Sequence, residues 1–264
     1  MTYETLTWET AGPVGTLTLN RPESLNAWTP RLGEELLAVL GGEAAEGAVR
    51  ALIVTGAGRG FSSGADLKEG LSTLAADGMP DIRRELQEVY HPIISAMREL
   101  PKPVIAAVNG PAVGIGCSLA LACDLILAAE SAYLSLAFVR IGLMPDGGST
   151  ALVPPAVGKA RAFEMTLLGE RVSAAEALAW GLINRVHPDA ELMEASRSLA
   201  GRLAAGPTRA YAAAKRALNR SLYPGFAEQL DLEAELQHEL ARSKDAAEGI
   251  LAFVQKREPQ FSGA

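Results

Sequence analysis

Two short apolar runs, each followed by a glycine-containing stretch, most constrain the fold of this chain. The first run, Ala51 to Thr55, leads into the segment Gly56 to Gly64. The second, Pro103 to Val108, leads into Asn109-Gly110, and Gly114-Ile115-Gly116 then opens an apolar helical stretch. Continuous apolar runs of this length are typical of buried strands. The pattern therefore predicts an α/β fold in which two buried strands each end in a glycine-containing loop.

The segments around these strands predict further elements. Leu6 to Leu19 alternates apolar and polar residues around Ala11-Gly12-Pro13, which indicates a hairpin. Thr29-Pro30 is typical of a capped helix start, and Gly41-Gly42 of a helix end. With 264 residues, of which 48% are hydrophobic, the chain is long and apolar enough to bury one large core.

The last third of the chain is predominantly helical in its periodicity. The helical pattern begins near Lys159, Ser173 is a candidate N-cap, and Gly206-Pro207 is a break. Amphipathic spacing then extends from Phe226 to Val254. No internal repeat or low-complexity linker divides the chain. We therefore expect one main domain with a helical extension.

Charge and the start of the chain argue against two classes of partner. The net charge is −7, and no basic run is interleaved with aromatic residues, so we expect no nucleic acid. Met1 to Glu4 has neither a basic segment nor an apolar stretch behind it, and Asp124 interrupts the apolar run Leu119 to Ala129. These features predict a cytoplasmic protein without membrane attachment.

The two cysteines, Cys117 and Cys123, stand in an apolar segment without a Cys-x-x-Cys pair or a nearby histidine. A metal site or a reactive thiol would need such neighbours. We therefore predict buried free thiols and no metal site.

Two matched segments carry a resemblance to a known family. Phe61-Ser62-Ser63-Gly64-Ala65-Asp66-Leu67 and the later Asn109 to Cys117 are similar, in sequence and separation, to the signature segments of the crotonase (enoyl-CoA hydratase/isomerase) superfamily. Similarity continues at Asn20 to Ala27 and at Phe253 to Arg257, so it covers nearly the whole chain. Its motifs also resemble those of the enoyl-CoA isomerases of the phenylacetate pathway.

The resemblance implies a crotonase-like spiral of ββα turns with a C-terminal helical region. Residues 1–195 would form the spiral core with the coenzyme A and thioester site. Residues 196–264 would form the helical region for capping and oligomerisation, in a homotrimer or a dimer of trimers. The substrate would be an acyl-CoA thioester, and no cofactor is implied beyond coenzyme A as part of the substrate.

The resemblance also assigns binding residues. The amides of Ala65 and Ile115 would hold the thioester oxygen, and a helix N-terminus at Ile115 independently favours negative charge there. Family members usually carry glycine where Ile115 stands, which implies a narrower pocket. Coenzyme A would contact Leu25, Ala27, Ser63, Ala65, Asp66 and Leu67, and Phe253 and Lys256 would reach it on a neighbouring subunit. For Lys256, a solvated helix charge is the alternative.

Two residues that differ from those of the family's hydratases limit the reactions that this protein could catalyse. Hydratases of this family use two glutamates, and Ser118 and Phe138 stand at those positions. Neither side chain exchanges protons near neutral pH. Asp146, within Gly142 to Gly148, resembles the proton-shuttling aspartate of the phenylacetate-pathway isomerases. We therefore predict a double-bond shift with Asp146 as the catalytic group and a raised pKa at that carboxyl. Its alternative role is the N-cap of a helix beginning near Gly147.

Three other functions remain open from the sequence. The chain could be an enoyl-CoA hydratase with an atypical active site, or an acyl-CoA binding protein without turnover, since both glutamates are absent. Gly60-Phe61-Ser62-Ser63-Gly64 also matches the Gly-x-Ser-x-Gly motif of serine hydrolases, with Ser62 as nucleophile and His187 as base.

The choice of acyl group depends on how Leu71 to Pro80 and the C-terminal helices cover the pocket.

Overall fold

A computed structural model describes residues 3–67, 75 and 78–264, so most of the segment from Leu71 to Pro80 lies outside the described residues. The strands are β1 (Leu6–Ala11), β2 (Val14–Leu19), β3 (Ala51–Gly56), β4 (Val104–Val108), β5 (Ala112–Val113), β6 (Leu125–Ala129), β7 (Tyr133–Ser135), β8 (Val172–Ser173) and β9 (Arg185–His187). The helices are α1 (Pro30–Gly41), α2 (Ile82–Glu85), α3 (His91–Glu99), α4 (Ile115–Leu121), α5 (Ser149–Leu168), α6 (Ala174–Trp180), α7 (Leu192–Ala205), α8 (Thr208–Leu222), α9 (Phe226–Leu240) and α10 (Lys244–Gln255).

The main sheet has the strand order β1-β2-β3-β4-β6-β9. The predicted hairpin is present, because β1 and β2 pair in antiparallel fashion around Gly12, whose φ is +59°. The other neighbours in this sheet pair in parallel. Every residue of β3 and of β4 is buried, as the continuous apolar runs predicted. Both glycine-containing loops therefore leave the carboxyl ends of adjacent parallel strands.

A second, smaller sheet has the order β5-β7-β8. Its first strand, β5, follows the turn after β4, and α4 follows β5 directly. β5 pairs with β7 in parallel, and β7 pairs with β8 in antiparallel fashion. The small sheet therefore carries the start of α4, which is where the second glycine-containing loop ends.

The predicted helix caps are confirmed. Thr29 accepts a hydrogen bond from the amide of Leu32 at the start of α1. Ser173 accepts one from the amide of Glu176, whose carboxylate accepts from the amide of Ser173 in return, which is a capping box. Each cap joins residues only three positions apart, so the local sequence carried the signal.

The last third is predominantly helical, as predicted, but it also contains the short strands β8 and β9. β9 adds an edge strand to the main sheet by pairing with β6, and β8 adds one to the small sheet. Strands of two or three residues are too short to leave a periodic pattern in a sequence, and their pairing partners lie far along the chain.

Helix α7 spans residue 195, where the predicted spiral core would end and the helical region would begin. It packs against β2, β3, β4 and β6 and buries Leu192, Ser196, Ala200 and Ala204. Residue 195 therefore lies inside a helix that packs on the main sheet and ends at Ala205. Among the described residues, no helix is both long enough and apolar enough to cross a membrane.

Candidate active site

Backbone hydrogen bonds join the two glycine-containing loops side by side. The amides of Phe61 and Ser62 both donate to the carbonyl of Pro111, at 3.0 Å each. The amide of Val113 donates to the carbonyl of Ser62 at 2.9 Å, and Ser62 pairs with Ala112 in a parallel bridge. The first loop therefore runs alongside β5 and reaches the start of α4.

Two glycines make this close approach of the loops geometrically feasible. Gly64 and Gly114 adopt φ values of +91° and +54°, which favour glycine. A Cβ on Gly64 would lie 3.0 Å from the carbonyl oxygen of Val113, and a Cβ on Gly114 would lie 3.8 Å from the Cα of Gly64. The next residues along the two loops, Ala65 and Ile115, consequently line the same cavity.

The amides of Ala65 and Ile115 are available to a ligand in that cavity. Neither amide donates a hydrogen bond to another residue in the described part of the chain. Ile115 is the first residue of α4, where an amide has no partner inside its own helix. The structure thus brings together the two residues that the resemblance assigned to the thioester oxygen.

The cavity next to these amides is mainly apolar in the described residues. Its apolar lining includes Trp28, Ile82, Leu86, Val113, Phe138 and Leu143. Its polar and charged lining includes Ser63, Asp66, Glu85, Tyr90, Arg140, Asp146 and Gln237.

Asp146 is the buried carboxylate of this cavity. Its Oδ2 accepts a hydrogen bond from Nε2 of Gln237 at 2.9 Å, whereas its Oδ1 has no partner among the described residues. Burial raises the pKa of Asp146 to about 8 from its ordinary value of 3.8, and the charges of Glu233 and Glu85 act in the same direction. A carboxyl with this pKa exchanges protons near neutral pH. The predicted rise of its pKa is therefore found.

The backbone around Asp146 is fixed by residues of α4 and α5. The hydroxyls of Ser118 and Ser149 each donate to the carbonyl of Asp146 at 2.8 Å. A Cβ on Gly147 would lie only 2.5 Å from Cδ1 of Ile115, so the isoleucine side chain packs directly on that glycine. Ser118, which replaces a hydratase glutamate, thus anchors the segment that presents Asp146.

The alternative role of Asp146 as a helix N-cap is wrong. Helix α5 begins at Ser149. Its N-cap residue is Gly148, which has no side chain to cap the helix. Gly147 and Gly148 both have positive φ, which separates Asp146 from the helix start. Glu233 of α9 takes the capping role by accepting from the amides of Gly148, at 2.7 Å, and Thr150, at 3.0 Å. The sequence could not indicate this, because α9 is distant along the chain.

The residues assigned to coenzyme A fall into two groups around the first loop. Ser63, Ala65, Asp66 and Leu67 line the cavity, whereas Leu25 and Ala27 are not among its described lining residues. The carbonyl of Leu25 accepts from the amide of Ser63 at 2.9 Å. Arg21 links the groups, since its guanidinium donates to the carbonyl of Ala27 at 2.6 Å and to Asp66 at 3.0 Å.

The two C-terminal residues assigned to coenzyme A differ in position. Phe253 of α10 lines the cavity of its own chain, although the resemblance implied contact with a neighbouring subunit. Helix α10 packs against the turn Phe138–Ile141, which brings it to this wall. Lys256 follows the end of α10 in a left-handed conformation with a φ of +55°, is exposed, and is not among the described lining residues.

Ser62 is not placed to act as a nucleophile. Its side chain is fully buried, its hydroxyl donates to the carbonyl of Asn26 at 2.9 Å, and it accepts from the amide of Gly64 at 3.3 Å. His187, the candidate base, belongs to β9 and is not a hydrogen-bond partner of Ser62. The serine-hydrolase alternative is therefore wrong, because a nucleophile must be reachable and paired with its base.

We expect a fluorophosphonate probe to leave Ser62 unlabelled, since the probe must reach an activated hydroxyl. Intact-protein mass spectrometry of the treated wild type checks this, with a serine protease as the positive control. A stoichiometric adduct that disappears in Ser62→Ala would contradict the assignment.

Both cysteines are buried and unpaired, as predicted. Burial raises the pKa of the Cys117 thiol to about 12, and the pKa of Cys123 is also raised by burial. Such thiols stay protonated at neutral pH and are poor nucleophiles. Among the described residues, no group of three histidine, cysteine or acidic side chains is arranged to hold a metal ion.

The raised pKa of Asp146 predicts how stability depends on pH. An acid with a higher pKa in the folded state favours folding when protonated, so the free energy of unfolding falls as pH rises from 3.8 to about 8. Asp146→Asn removes this ionisation. Above pH 8, we expect the free energy of unfolding of the variant to exceed that of the wild type by about 2–5 kcal/mol. Urea unfolding at pH 5, 7 and 9 measures the difference, and parallel curves for the two proteins would contradict the expectation.

Comparison with known proteins identifies the family. The sequence pattern of the family described as "Enoyl-CoA hydratase/isomerase" matches residues 9–264. A probable enoyl-CoA hydratase of Rhodobacter capsulatus is 44% identical over 263 residues, which is 100% of both chains. A 1,2-epoxyphenylacetyl-CoA isomerase of Escherichia coli is 42% identical over 250 residues, 95% of each chain. The chain therefore belongs to the enoyl-CoA hydratase/isomerase family.

A solved structure agrees with this membership. The crystal structure of an enoyl-CoA hydratase from Mycobacterium avium subsp. paratuberculosis is similar with a TM-score of 0.89 and 40% sequence identity, covering 99% of this chain and 100% of the other. The predicted crotonase-like α/β fold is confirmed. The chain is thus an acyl-CoA enzyme of this family, and its relatives carry the names of both hydratases and isomerases.

Proposed function

We propose that this protein shifts a double bond in an enoyl-CoA, with Asp146 as the proton shuttle. The observation that carries the proposal is the position of one buried carboxylate with a raised pKa in the same cavity as two unpaired amides. That combination supplies one group for proton transfer and two donors for a developing negative charge.

The chemistry needs nothing else from the protein. The amides of Ala65 and Ile115 donate to the thioester oxygen and stabilise the enolate that forms when a proton leaves the substrate. The carboxylate of Asp146 takes that proton from one carbon and returns it to another carbon of the same conjugated system. The double bond moves, the proton number is conserved, and Asp146 ends in its starting state.

The replaced glutamates favour isomerisation over hydration. The hydroxyl of Ser118 donates to the backbone carbonyl of Asp146, and Phe138 forms part of the apolar wall of the cavity. Neither residue activates water. The 1,2-epoxyphenylacetyl-CoA isomerase among the relatives supports an isomerase, whereas the name of the Rhodobacter relative favours the second candidate, an enoyl-CoA hydratase with an atypical active site.

Coenzyme A is proposed to lie along the first loop. Ser63, Ala65, Asp66 and Leu67 would contact it inside the cavity, and Leu25 and Ala27 would contact it from the preceding segment, which is joined to Ser63 by a backbone hydrogen bond. Phe253 would close the cavity from α10, and Lys256, at the exposed end of that helix, would reach a coenzyme A on a neighbouring subunit. Exposed apolar side chains, Phe163, Leu167, Leu168, Leu218 and Leu222 among them, support assembly as a trimer or a dimer of trimers.

Hydrogen exchange on a saturated thioester tests the proposed site without requiring a reactive double bond. Butyryl-CoA in D₂O should exchange its C2 protons in the presence of the wild type, as followed by proton NMR. An acyl-CoA binding protein without turnover would hold the thioester without exchange. Tight binding of butyryl-CoA with no exchange at any pH from 6 to 9 would therefore overturn the proposal.

A further inference from the structure

Two polar side chains in the cavity wall neither transfer a proton nor hold the thioester oxygen in the proposed reaction. Glu85 and Tyr90 both line the cavity, among apolar neighbours that include Ile82 and Leu86. Burial raises the pKa of Glu85, while an interaction with the hydroxyl of Tyr90 acts in the opposite direction. Burial also raises the pKa of Tyr90. Polar groups in an apolar wall are costly unless their hydrogen-bonding capacity is used, and one interaction between these two leaves part of that capacity open to a ligand.

An irregular helical turn places these two residues together. The segment Leu86–Tyr90 forms a π-helical turn between α2 and α3, in which the amide of His91 donates to the carbonyl of Leu86. In a regular α-helix, residues five apart point about 140° away from each other. The wider π turn brings Glu85 and Tyr90 to the same face, and such turns are frequent at functional sites.

Helix α9 holds this wall in a fixed relation to Asp146. Side-chain contacts join α9 to the segment around α2: Glu235 to Arg83 at 2.7 Å, Asp231 to Gln87 at 3.4 Å, and His238 to Asp81 at 3.4 Å. The same helix carries Gln237, which donates to Asp146. The polar pair and the proposed proton shuttle are therefore positioned by one element.

Trp28 adds a donor to the same wall. Its ring packs edge-to-face on Tyr90 with 5.2 Å between the ring centroids. Trp28 lines the cavity, and its buried Nε1 has no acceptor among the described residues. This part of the wall therefore combines a carboxyl acceptor, a hydroxyl that both donates and accepts, and an unpaired donor.

We propose that Glu85 and Tyr90 form a polar subsite that selects acyl groups carrying a hydroxyl. Such a hydroxyl donates to the carboxylate of Glu85 and accepts from the phenol of Tyr90. A plain hydrocarbon chain would remove water from both groups and offer neither of them a hydrogen bond, so it would bind less tightly. The inference rests on the proposed function, because it requires the acyl chain to enter this cavity.

Binding of matched thioesters tests the subsite. Calorimetry would compare hexanoyl-CoA with 4-, 5- and 6-hydroxyhexanoyl-CoA on the wild type, Glu85→Leu and Tyr90→Phe. We expect the best-placed hydroxyl to tighten binding to the wild type about tenfold or more. Glu85→Leu should abolish this preference, and Tyr90→Phe should reduce it. Glu88→Gln, a change in an exposed glutamate on the same turn, serves as the control and should keep the preference.

The outcomes separate this subsite from the proposed reaction. If no hydroxylated thioester is preferred by more than about twofold, or if the preference survives both substitutions, the subsite is overturned. Exchange at C2 of butyryl-CoA, whose chain is shorter, should be seen with the wild type and should persist in Glu88→Gln. If that exchange is absent from the wild type, the proposed function itself fails, whatever the hydroxyl preference.

Discussion

Replacement of Asp146 by Asn is expected to slow enoyl-CoA isomerisation by about 10²–10⁴-fold. The amide is nearly the same size and still offers an oxygen to Nε2 of Gln237, but it neither takes nor returns a proton. Binding of a saturated acyl-CoA should change little, because the two amides and the apolar walls remain. Steady-state kinetics with a 3-enoyl-CoA and calorimetry with hexanoyl-CoA measure the two effects separately.

A matched variant controls for loss of an aspartate as such. Asp189→Asn alters an exposed residue that follows β9, outside the described lining of the cavity, and its kcat should stay near that of the wild type. Wild-type isomerisation by Asp146→Asn would remove Asp146 from the mechanism. A loss confined to KM would indicate that the carboxylate binds the substrate and does not transfer its proton.

Ile115→Pro is expected to lower kcat by about 10²–10³-fold, because proline removes one of the two proposed oxyanion donors. Proline is tolerated at the first position of a helix, where the missing amide has no helical partner, so α4 should still form. Circular dichroism and thermal melting verify the fold, and isomerisation kinetics give the effect.

The control for Ile115→Pro is Ile115→Val, which keeps the amide and most of the packing on Gly147. We expect its loss in kcat to be far smaller than that of the proline variant. Equal losses in the two variants would show that the side-chain contact, and not the amide, supports the reaction.

The parts of the fold that sequence predicts are those with a local or continuous signal. The hairpin around Gly12, the cap at Thr29 and the buried strands β3 and β4 each depend on residues that are close in sequence or on an unbroken apolar run. β9 lacks both properties, because three residues carry no period and its partner β6 lies outside the local sequence. Strands of this kind are recognised only when their pairing is known.

The residues of the site also differ in whether the sequence alone predicts them. Ala65, Ile115 and Asp146 stand in glycine-containing motifs that can be read from the sequence, and all three line the cavity. Gln237 and Glu233 carry no motif, because their roles come from the packing of α9 near the start of α5. Their contacts depend on the tertiary arrangement.

Trp28, Glu85 and Tyr90 were also missed, and for a related reason. Trp28 directly follows the segment Asn20 to Ala27, which resembles the family. Its place in the cavity wall, however, depends on the β-bridge that it forms with Ala65. Glu85 and Tyr90 meet only because the helix widens to a π turn. Helical spacing of the ordinary kind would have separated them.

Turnover of a 3-enoyl-CoA and a 2-enoyl-CoA, measured side by side with the wild type and Asp146→Ala, tests the one-carboxylate mechanism most directly. We expect the wild type to isomerise the 3-enoyl-CoA with negligible hydration of the 2-enoyl-CoA, and the alanine variant to lose isomerisation. Brisk hydration of the 2-enoyl-CoA by the wild type, or isomerisation that survives in Asp146→Ala, would contradict it.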